Sequence, residues 1–335
     1  MPLLLPTLRF HHPGATLSGT HTSVIRVKFL DTTYYSEYVL DLHRLVLLRE
    51  IKLRGSMTAA ARALSYSHSA ISQQLSLLQR EAGATLLERV GRNVRLTSVG
   101  EQLVRNTESI LEAMEQAEAE LAATHNRPHG TLRLAAFATI SRAIVPGALS
   151  VLYRDHPNLE VYCELADPED AASLLTSRQV DAVITDAFPG TSSRDGGGND
   201  AVLLGTDTVR GYLPDPSYEN DMELMRSVPW VMEPSVDAST QWALRMCREL
   251  GFEPRVVHVS TDLLFHLRLV ESGHAAAFLP NMVVRESGSN LVPSSWLPTT
   301  RERGIHLLTR RGRASHPGVV ALRSALIESF REFYK

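Results

Sequence analysis

The sequence predicts an α/β protein in three parts: a small helical unit closed by a β-hairpin, one long helix, and a larger unit of two α/β lobes. Three observations predict it. Apolar residues recur at helical spacing through 42–81 and again through 98–123. Between these stretches lie two short strand-like runs about a Gly-containing tip. Beyond Thr131, strands and helices alternate to the C-terminus, a texture that belongs to sheets covered by helices. At 335 residues the chain can bury a separate core in two or three such units.

Residues 1–38 mix Pro, His, Thr and Gly without a sustained period and read as a poorly ordered extension, with a translation start near Val39 as the alternative. Leu3, Leu4 and Leu5 are too short a run for a signal peptide, and no apolar run reaches transmembrane length. The first helix, over 42–53, carries Leu42, Leu45, Val46, Leu48 and Leu53 on one stripe. It stops at Gly55, where positive φ is easiest. A second helix over 58–64 is rich in alanine, so another helix can approach its backbone closely. Ser65, Tyr66 and Ser67 turn the chain into a third helix over 68–81, which ends at Gly83. Strands over 86–89 and 94–96 flank Val90-Gly91-Arg92-Asn93 and make a wing. Thr97 or Ser98 then caps a helix reaching Ala123, with Glu101 in its first turn. The resulting units are 39–98, 99–125 and 131–335, with a hinge by composition over 126–130.

In the last unit, strands are predicted over 132–137, 159–165 and 181–186, with helices over 140–154 and 168–177. A mobile loop over 191–200 holds Gly196, Gly197 and Gly198. A second series follows: strand 230–233, helix 239–250, strand 255–259, helix 263–272 and strand 275–279. A strand over 305–309 and a helix over 317–334 close the chain. Strands separated by helices of this length imply parallel sheets, two of them here.

Charge is distributed unevenly. The whole chain carries -3, but residues 41–98 hold nine bases against four acids, while 99–123 hold one base against six acids. A basic unit beside an acidic helix is suited at one end to a polyanion. Cys163 and Cys247 match no metal spacing and are too few for a disulfide framework. They read as buried reduced thiols, with a redox-sensing pair as the alternative. No catalytic residue, cofactor or metal ligand set emerges, since neither glycine-rich phosphate loops nor a nucleophile elbow is present.

A helix-turn-helix needs a small residue early in its first helix, a tight turn, and a polar-faced helix that fits the major groove of DNA. The third helix carries His68, Ser69, Ser72, Gln73 and Ser76 on one side, while Ala70, Ile71, Leu75 and Leu78 face the other. Small hydroxyls near its start, Ser67 among them, leave backbone N–H groups and the helix dipole free to meet a phosphate. Gln73 and Gln74 can bond adenine through both amide atoms, and His68 can reach a base edge or a phosphate. The wing offers Arg89, Arg92 and Arg95 for backbone or minor-groove contact. Thr58, at the start of the second helix, completes the candidate DNA-binding set.

The runs TAAARAL, SHSAISQQL, LLERVGRN and RLTSVG between Thr58 and Gly100 resemble the winged helix-turn-helix of LysR-type transcriptional regulators. The β/α pattern behind them fits as well, so the resemblance covers roughly residues 40–330. Gln79 stands where that family usually has Glu, Ser98-Val99 where it often has Pro-Ala, and Ala275-Ala276 where a glycine is common. The resemblance implies a one-component regulator of double-stranded DNA in the cytoplasm, nucleoid-associated when bound, reading an interrupted palindromic operator and in touch with RNA polymerase. It also implies a C-terminal effector domain like a type 2 periplasmic binding protein. Lobe I would span 131–208 and 294–335, and lobe II 209–293, with crossovers at 208–211 and 284–294.

Leu103, Thr107, Ile110, Met114, Ala117 and Leu121 recur in the long helix as a coiled-coil seam, or as the stripe of a helix packed on its own domain. The resemblance favours the seam, and with it a homodimer or homotetramer. Between the lobes, a small-molecule effector should lie at the carboxyl ends of strands. Thr139 and Ser141 close the first strand and are candidate donors to a ligand carboxylate. Thr185 and Asp186 end another strand, while Ser235 and Thr261 stand at matching places in the second lobe. Each could equally be a helix cap. Asp186 and Glu233 weigh against an anionic effector. Two other classes stand beside this reading: an α/β enzyme with a DNA-binding appendage, and a DNA-compacting protein without sequence preference.

Overall fold

The computed structural model describes residues 40–91, 93–125, 127–191, 198–219, 221–297 and 301–335. The extension over 1–38, the wing residue Arg92 and most of the glycine-rich loop fall outside them.

The first helix, α1 (Leu42–Arg54), is capped by the Asp41 carboxylate, which accepts from the Arg44 N–H, and ends at Gly55 with φ 71°. Ser56 and Ser67 cap α2 (Met57–Ala63) and α3 (His68–Ala82) in the same way, each accepting an N–H at 3.1 Å. Between them the chain turns through Ser65 at φ 58°, a left-handed conformation that is uncommon for a non-glycine residue. Leu45, Leu48 and Ile51 of α1 bury against Ile71, Leu75 and Leu78 of α3, with Ala60 and Ala61 of α2 in the same core. The wing is an antiparallel pair, β1 (Leu87–Val90) and β2 (Asn93–Leu96). The long helix α4 (Ser98–Ala123) starts at Thr97, whose hydroxyl accepts from the Gly100 N–H. Gly100 is needed for close approach, since a Cβ there would lie 2.3 Å from the Leu86 carbonyl oxygen.

The C-terminal unit begins with β3 (Gly130–Ala136), α5 (Ala138–Ala143) and α6 (Val145–Asp155). The single helix predicted over 140–154 is thus two. Pro146 has no N–H to offer the turn behind it, and the break falls at Ile144. The chain continues through β4 (Leu159–Leu165), α7 (Pro168–Thr176), β5 (Ala182–Ala187) and β6 (Asn199–Tyr212). Then come α8 (Met222–Ser227), β7 (Pro229–Met232), α9 (Ala238–Glu249), β8 (Arg255–Val259) and α10 (Leu263–Glu271). The chain ends with β9 (Ala277–Pro280), α11 (Asn281–Glu286), β10 (Arg301–Arg310) and α12 (Pro317–Phe333).

The sheets differ from the two parallel ones predicted. Six strands form one mixed sheet in the order β4-β3-β5-β10-β6-β9. Only β3 runs parallel to both of its neighbours, while β10 is antiparallel to β5 and β6, and β6 to β9. The cause is β6, a long strand not foreseen in the sequence. It changes partner at Val209, which pairs with Arg301 of β10 and Pro280 of β9. The parallel pair β7-β8 attaches to the second lobe through a bridge from Trp230 to Ala276. One core lies under β3 and α12. A second gathers Trp230, Trp242, Phe252 and their neighbours.

Helix α4 divides its faces. Near its start, Val104 and Leu103 pack on the helix-turn-helix core, and Thr107 is buried with its hydroxyl donating to the Leu103 oxygen. Farther along, Glu115 and Ala119 are buried against the first lobe, while Ile110, Met114, Ala117 and Leu121 remain exposed. The predicted seam is therefore partly taken up within the chain and partly open.

Candidate functional site

Two sites and a joint between them emerge. At the first, His68, Ser69, Ser72, Gln73 and Ser76 lie exposed on one face of α3, as do Thr58, Arg89 and Arg95 on α2 and the wing. A groove of about 460 Å³ runs between α2, α3 and the hairpin, lined by Thr58, His68, Ser72, Ser76, Arg89 and Gly91 among others. Ser67 is committed to capping, and its oxygen also lies 3.0 Å from that of Ser69. Arg95 pairs with Glu88 at 2.7 Å in an exposed contact of the kind worth little in water, so a phosphate can compete for it. Arg92 lies outside the described residues.

Gln74 differs from its sequence reading as a base reader. Its amide oxygen accepts from Arg44 Nε at 3.0 Å, and Arg44 also pairs with Glu81, so Gln74 is held inside the domain. Gln79, noted only as an unusual residue, has a defined place. Its side-chain oxygen accepts from the Leu86 and Leu87 N–H groups at 2.8 and 3.2 Å and fixes where the wing leaves α3.

The joint is built from charges. Arg49 of α1 donates to Glu108 of α4 at 2.6 Å, pairs with Glu50, and reaches the backbone oxygen of Thr176 at the end of α7. Glu115 of α4 pairs with Arg310 at 2.7 Å and with Arg178. Arg313 reaches Glu118 of α4 at 3.4 Å and is steadied on its own side by Asp181 at 3.1 Å. Gly312 lies against the α4 backbone, where a Cβ would stand 2.3 Å from the Glu112 oxygen.

The second site is a cleft of about 360 Å³ at the C-terminal ends of β3 and β5. Thr139, Thr185, Asp186 and Thr261 line it, as the sequence suggested. Ser141 and Ser235 do not. The Ser141 hydroxyl turns back to donate to the Ala136 oxygen at 3.2 Å, and Ser235 offers its backbone oxygen to Gln241. The sequence reading missed Asp167 and Asp170 at the start of α7, Asp237 and Ser239 at the start of α9, and Arg303 and His306 on β10.

Arg303 is the organising residue. It is 2% exposed and lies over the Phe137 ring. Its Nη1 donates to Asp186 at 2.9 Å, and its Nε and Nη2 donate to Asp207 at 3.2 and 2.9 Å. Asp207, fully buried on β6, also accepts from the Met282 N–H and the Tyr334 hydroxyl. No local motif could announce this cluster, since Arg303 meets partners 96 and 117 residues away in sequence. Burial raises the Asp186 carboxyl above the usual range despite Arg303. Glu233 is pushed up to about 7, first by burial and further by the Asp186 charge, against a hydrogen bond from Ser239.

Cys163 lies on β4 and Cys247 on α9, in different lobes and both unpaired. Burial pushes the Cys247 thiol up to about 12, so it is inert rather than redox-poised. The placement removes the basis for a sensing pair, and also corrects Cys163, which is exposed rather than buried.

Comparisons with known proteins match both halves. A family model for the LysR substrate binding domain matches residues 125–331, and one for the bacterial regulatory helix-turn-helix protein of the lysR family matches 42–101. The transcriptional dual regulator GltC of Bacillus subtilis is 23% identical over 253 residues, covering 74% of this chain and 83% of its own. The HTH-type transcriptional regulator PtxR of Pseudomonas aeruginosa is 28% identical over 304 residues, covering 88% and 93%. Among solved structures, full-length OxyR from Pseudomonas aeruginosa aligns with a TM-score of 0.57 at 18% identity, over 86% of this chain and 98% of its own. Full-length LysG from Corynebacterium glutamicum, solved with arginine bound as effector, aligns at 0.55 and 19%, over 87% and 98%. These structures share the fold. The curated relatives are transcriptional regulators, which sets aside the reading as an enzyme with a DNA-binding appendage. On the span and agreement of both family models, the chain belongs to the LysR family of bacterial transcriptional regulators.

Proposed function

We propose that this regulator reads an interrupted palindromic operator as a dimer or a dimer of dimers, and answers to a small molecule held between two lobes. His68, Ser69, Ser72 and Gln73 of α3 read base edges, with Thr58 and Ser76 beside them. Arg89, Arg92 and Arg95 hold the phosphate backbone, and Ser67 orders the helix start that meets it. Lobe I comprises 131–208 and 294–335, and lobe II 209–293. Thr139, Thr185, Asp186 and Thr261 contact the effector.

The observation that carries this reading is the placement of α7. Its first residues, with Asp167 and Asp170, line the cleft, and its last residue, Thr176, receives Arg49 of the DNA-binding domain. A ligand that closes the lobes acts on one end of α7, and α1 and α4 feel the other. Such coupling requires unequal ligand affinity for the two arrangements. Exposed apolar residues on α4 supply the dimer seam, and a dimer suits half-sites one helical turn apart. Among the described residues no helix is long and apolar enough to cross a membrane. The working place is the cytoplasm, on the nucleoid, with RNA polymerase as the further partner.

The test is footprinting on the intergenic region beside the gene, followed by titration of variants on that site and on random DNA. Gln73→Ala weakens cognate binding by about 1–3 kcal/mol and leaves random DNA nearly unchanged, whereas Arg89→Ala weakens both alike. Equal losses on both DNAs for Gln73→Ala would indicate a compacting protein instead.

A further inference from the structure

We infer that Gln79 is a phosphate-contacting residue of the DNA interface, its side-chain N–H2 donating to a backbone phosphate that crosses the groove between α3 and the wing. This rests on the reading of α3 and the wing as the DNA-facing surface, and adds a neutral donor between the two.

The first support is how the amide is held. The Gln79 side-chain oxygen accepts from two backbone N–H groups where the chain enters the wing, from Leu86 at 2.8 Å and from Leu87 at 3.2 Å. An amide gripped by its oxygen at two points has its nitrogen placed as well, on the other branch of the same planar group. That Nε2 donates to no protein acceptor among the described residues, and the side chain is only half-buried. The oxygen serves the wing, and the nitrogen keeps both of its hydrogens for a further acceptor.

The second support is where the residue stands. Gln79 lines the groove of about 460 Å³ together with Ser72 and Ser76 of α3, Thr58 of α2 and Arg89 of the wing. Positions 72, 76 and 79 follow helical spacing, so Gln79 continues the face that carries Ser72 and Ser76, about 10 Å beyond Ser72 along the axis. With α3 in the major groove and the wing on the adjoining backbone, a DNA strand running from one to the other passes over Gln79.

Charge explains why an amide suits this place. Among the described lining residues the groove's charged side chains, beside His68, are Glu88 and Arg89, and Glu88 is paired with Arg95. A carboxylate at position 79 would accept the Leu86 and Leu87 N–H groups at least as well, since bonds to an ionised acceptor are the stronger ones. It would also set a second acid against the phosphates and offer them no donor. The amide meets both needs, an acceptor for the wing and a donor for the anion.

The experiment compares Gln79→Glu with wild type and with Arg89→Ala, each as the full chain, on the footprinted operator and on a duplex of random sequence. Gln79→Glu keeps or raises Tm, while its affinity for both duplexes falls by about threefold to tenfold at low salt, a deficit that shrinks as salt rises. Stability and affinity moving apart in this way separates a phosphate contact from a role in holding the wing alone. Methylphosphonates placed singly along the operator then locate the contact: at one position, removing the phosphate charge closes most of the gap between the two proteins. Wild-type affinity at every salt concentration, or a deficit that no methylphosphonate relieves, overturns the inference. A lowered Tm for Gln79→Glu overturns it too, because the wing would then depend on the amide itself. If Arg89→Ala also binds both duplexes as wild type does, the DNA face lies elsewhere, and the reading of the wing fails rather than the role of Gln79 alone.

Discussion

Arg49 of α1 and Glu108 of α4 meet at 2.6 Å, with Arg49 only 2% exposed and its guanidinium also held by Glu50 and by the Thr176 oxygen. One side chain therefore ties together three parts: α1 of the helix-turn-helix domain, the long helix α4 and the C-terminal domain. Arg49→Ala leaves the buried Glu50 carboxylate with only Arg54 at 3.3 Å and frees the Glu108 and Thr176 acceptors, and destabilises the chain by about 2 kcal/mol, measurable by urea unfolding. Arg49→Lys keeps charge without the planar fork. It recovers part of the stability but less of any ligand-induced change in DNA affinity.

Gly100 sits where α4 meets the wing. In Gly100→Ala the new methyl collides with the Leu86 carbonyl oxygen, so the wing shifts or the helix retreats. The expected cost is about 1–3 kcal/mol in stability. DNA affinity falls on cognate and random sequences alike, because the wing arginines move together.

Asp207 gathers four donors from Arg303, Met282 and Tyr334, so its loss is felt in both lobes. Tyr334→Phe removes one neutral donor and costs about 1 kcal/mol, whereas Asp207→Asn leaves Arg303 short of charge and costs about 3 kcal/mol or more. Denaturant midpoints of the two variants against wild type check the order. Equal effects would show that the Arg303 charge is answered by Asp186 alone.

The pH dependence of stability carries a sign. Glu233 binds its proton more tightly in the folded chain, titrating at about 7 against an ordinary 4.5. The folded state thus holds more protons between those values, and this carboxyl makes stability fall as pH rises through that window. His266, held below its ordinary 6.5 by burial, acts oppositely and costs stability as pH falls through 6.5. The difference in Tm between wild type and Glu233→Gln, followed from about pH 4 to 8, isolates the Glu233 contribution. A flat difference would mean the carboxyl is already paired.

Exposure on α4 gives a separate prediction. Met114 and Leu121 are 43% and 67% exposed in the single chain. Met114→Glu with Leu121→Glu leaves the monomer's unfolding unchanged within about 0.5 kcal/mol but abolishes self-association in sedimentation. A variant that sediments as wild type would move the dimer contact elsewhere.

What could be read from the sequence follows the range of the interactions. The helix-turn-helix was legible because its signals are local: Gly55 and Gly83 end helices, Ser67 caps α3, and Gly91 turns the wing at φ 61°. Thr139 and Asp186 were legible as strand ends. Arg303 was not, because β10 brings it to Asp207 and Asp186 from far along the chain. The strand β6 is hidden in the sequence because most of it pairs with β10 and its last four residues with β9, so no single face is uniformly apolar along its length. Pro146 marks the break between α5 and α6, a signal local to the sequence.

Where α4 rests on the first lobe, Gly312 lets two backbones touch, and the surrounding contacts are Glu115 with Arg178 and Arg310, and Glu118 with Arg313. Parting these surfaces uncovers ions that water will solvate, not oil that would drive aggregation. A parting of the two halves would therefore expose little sticky surface to other chains.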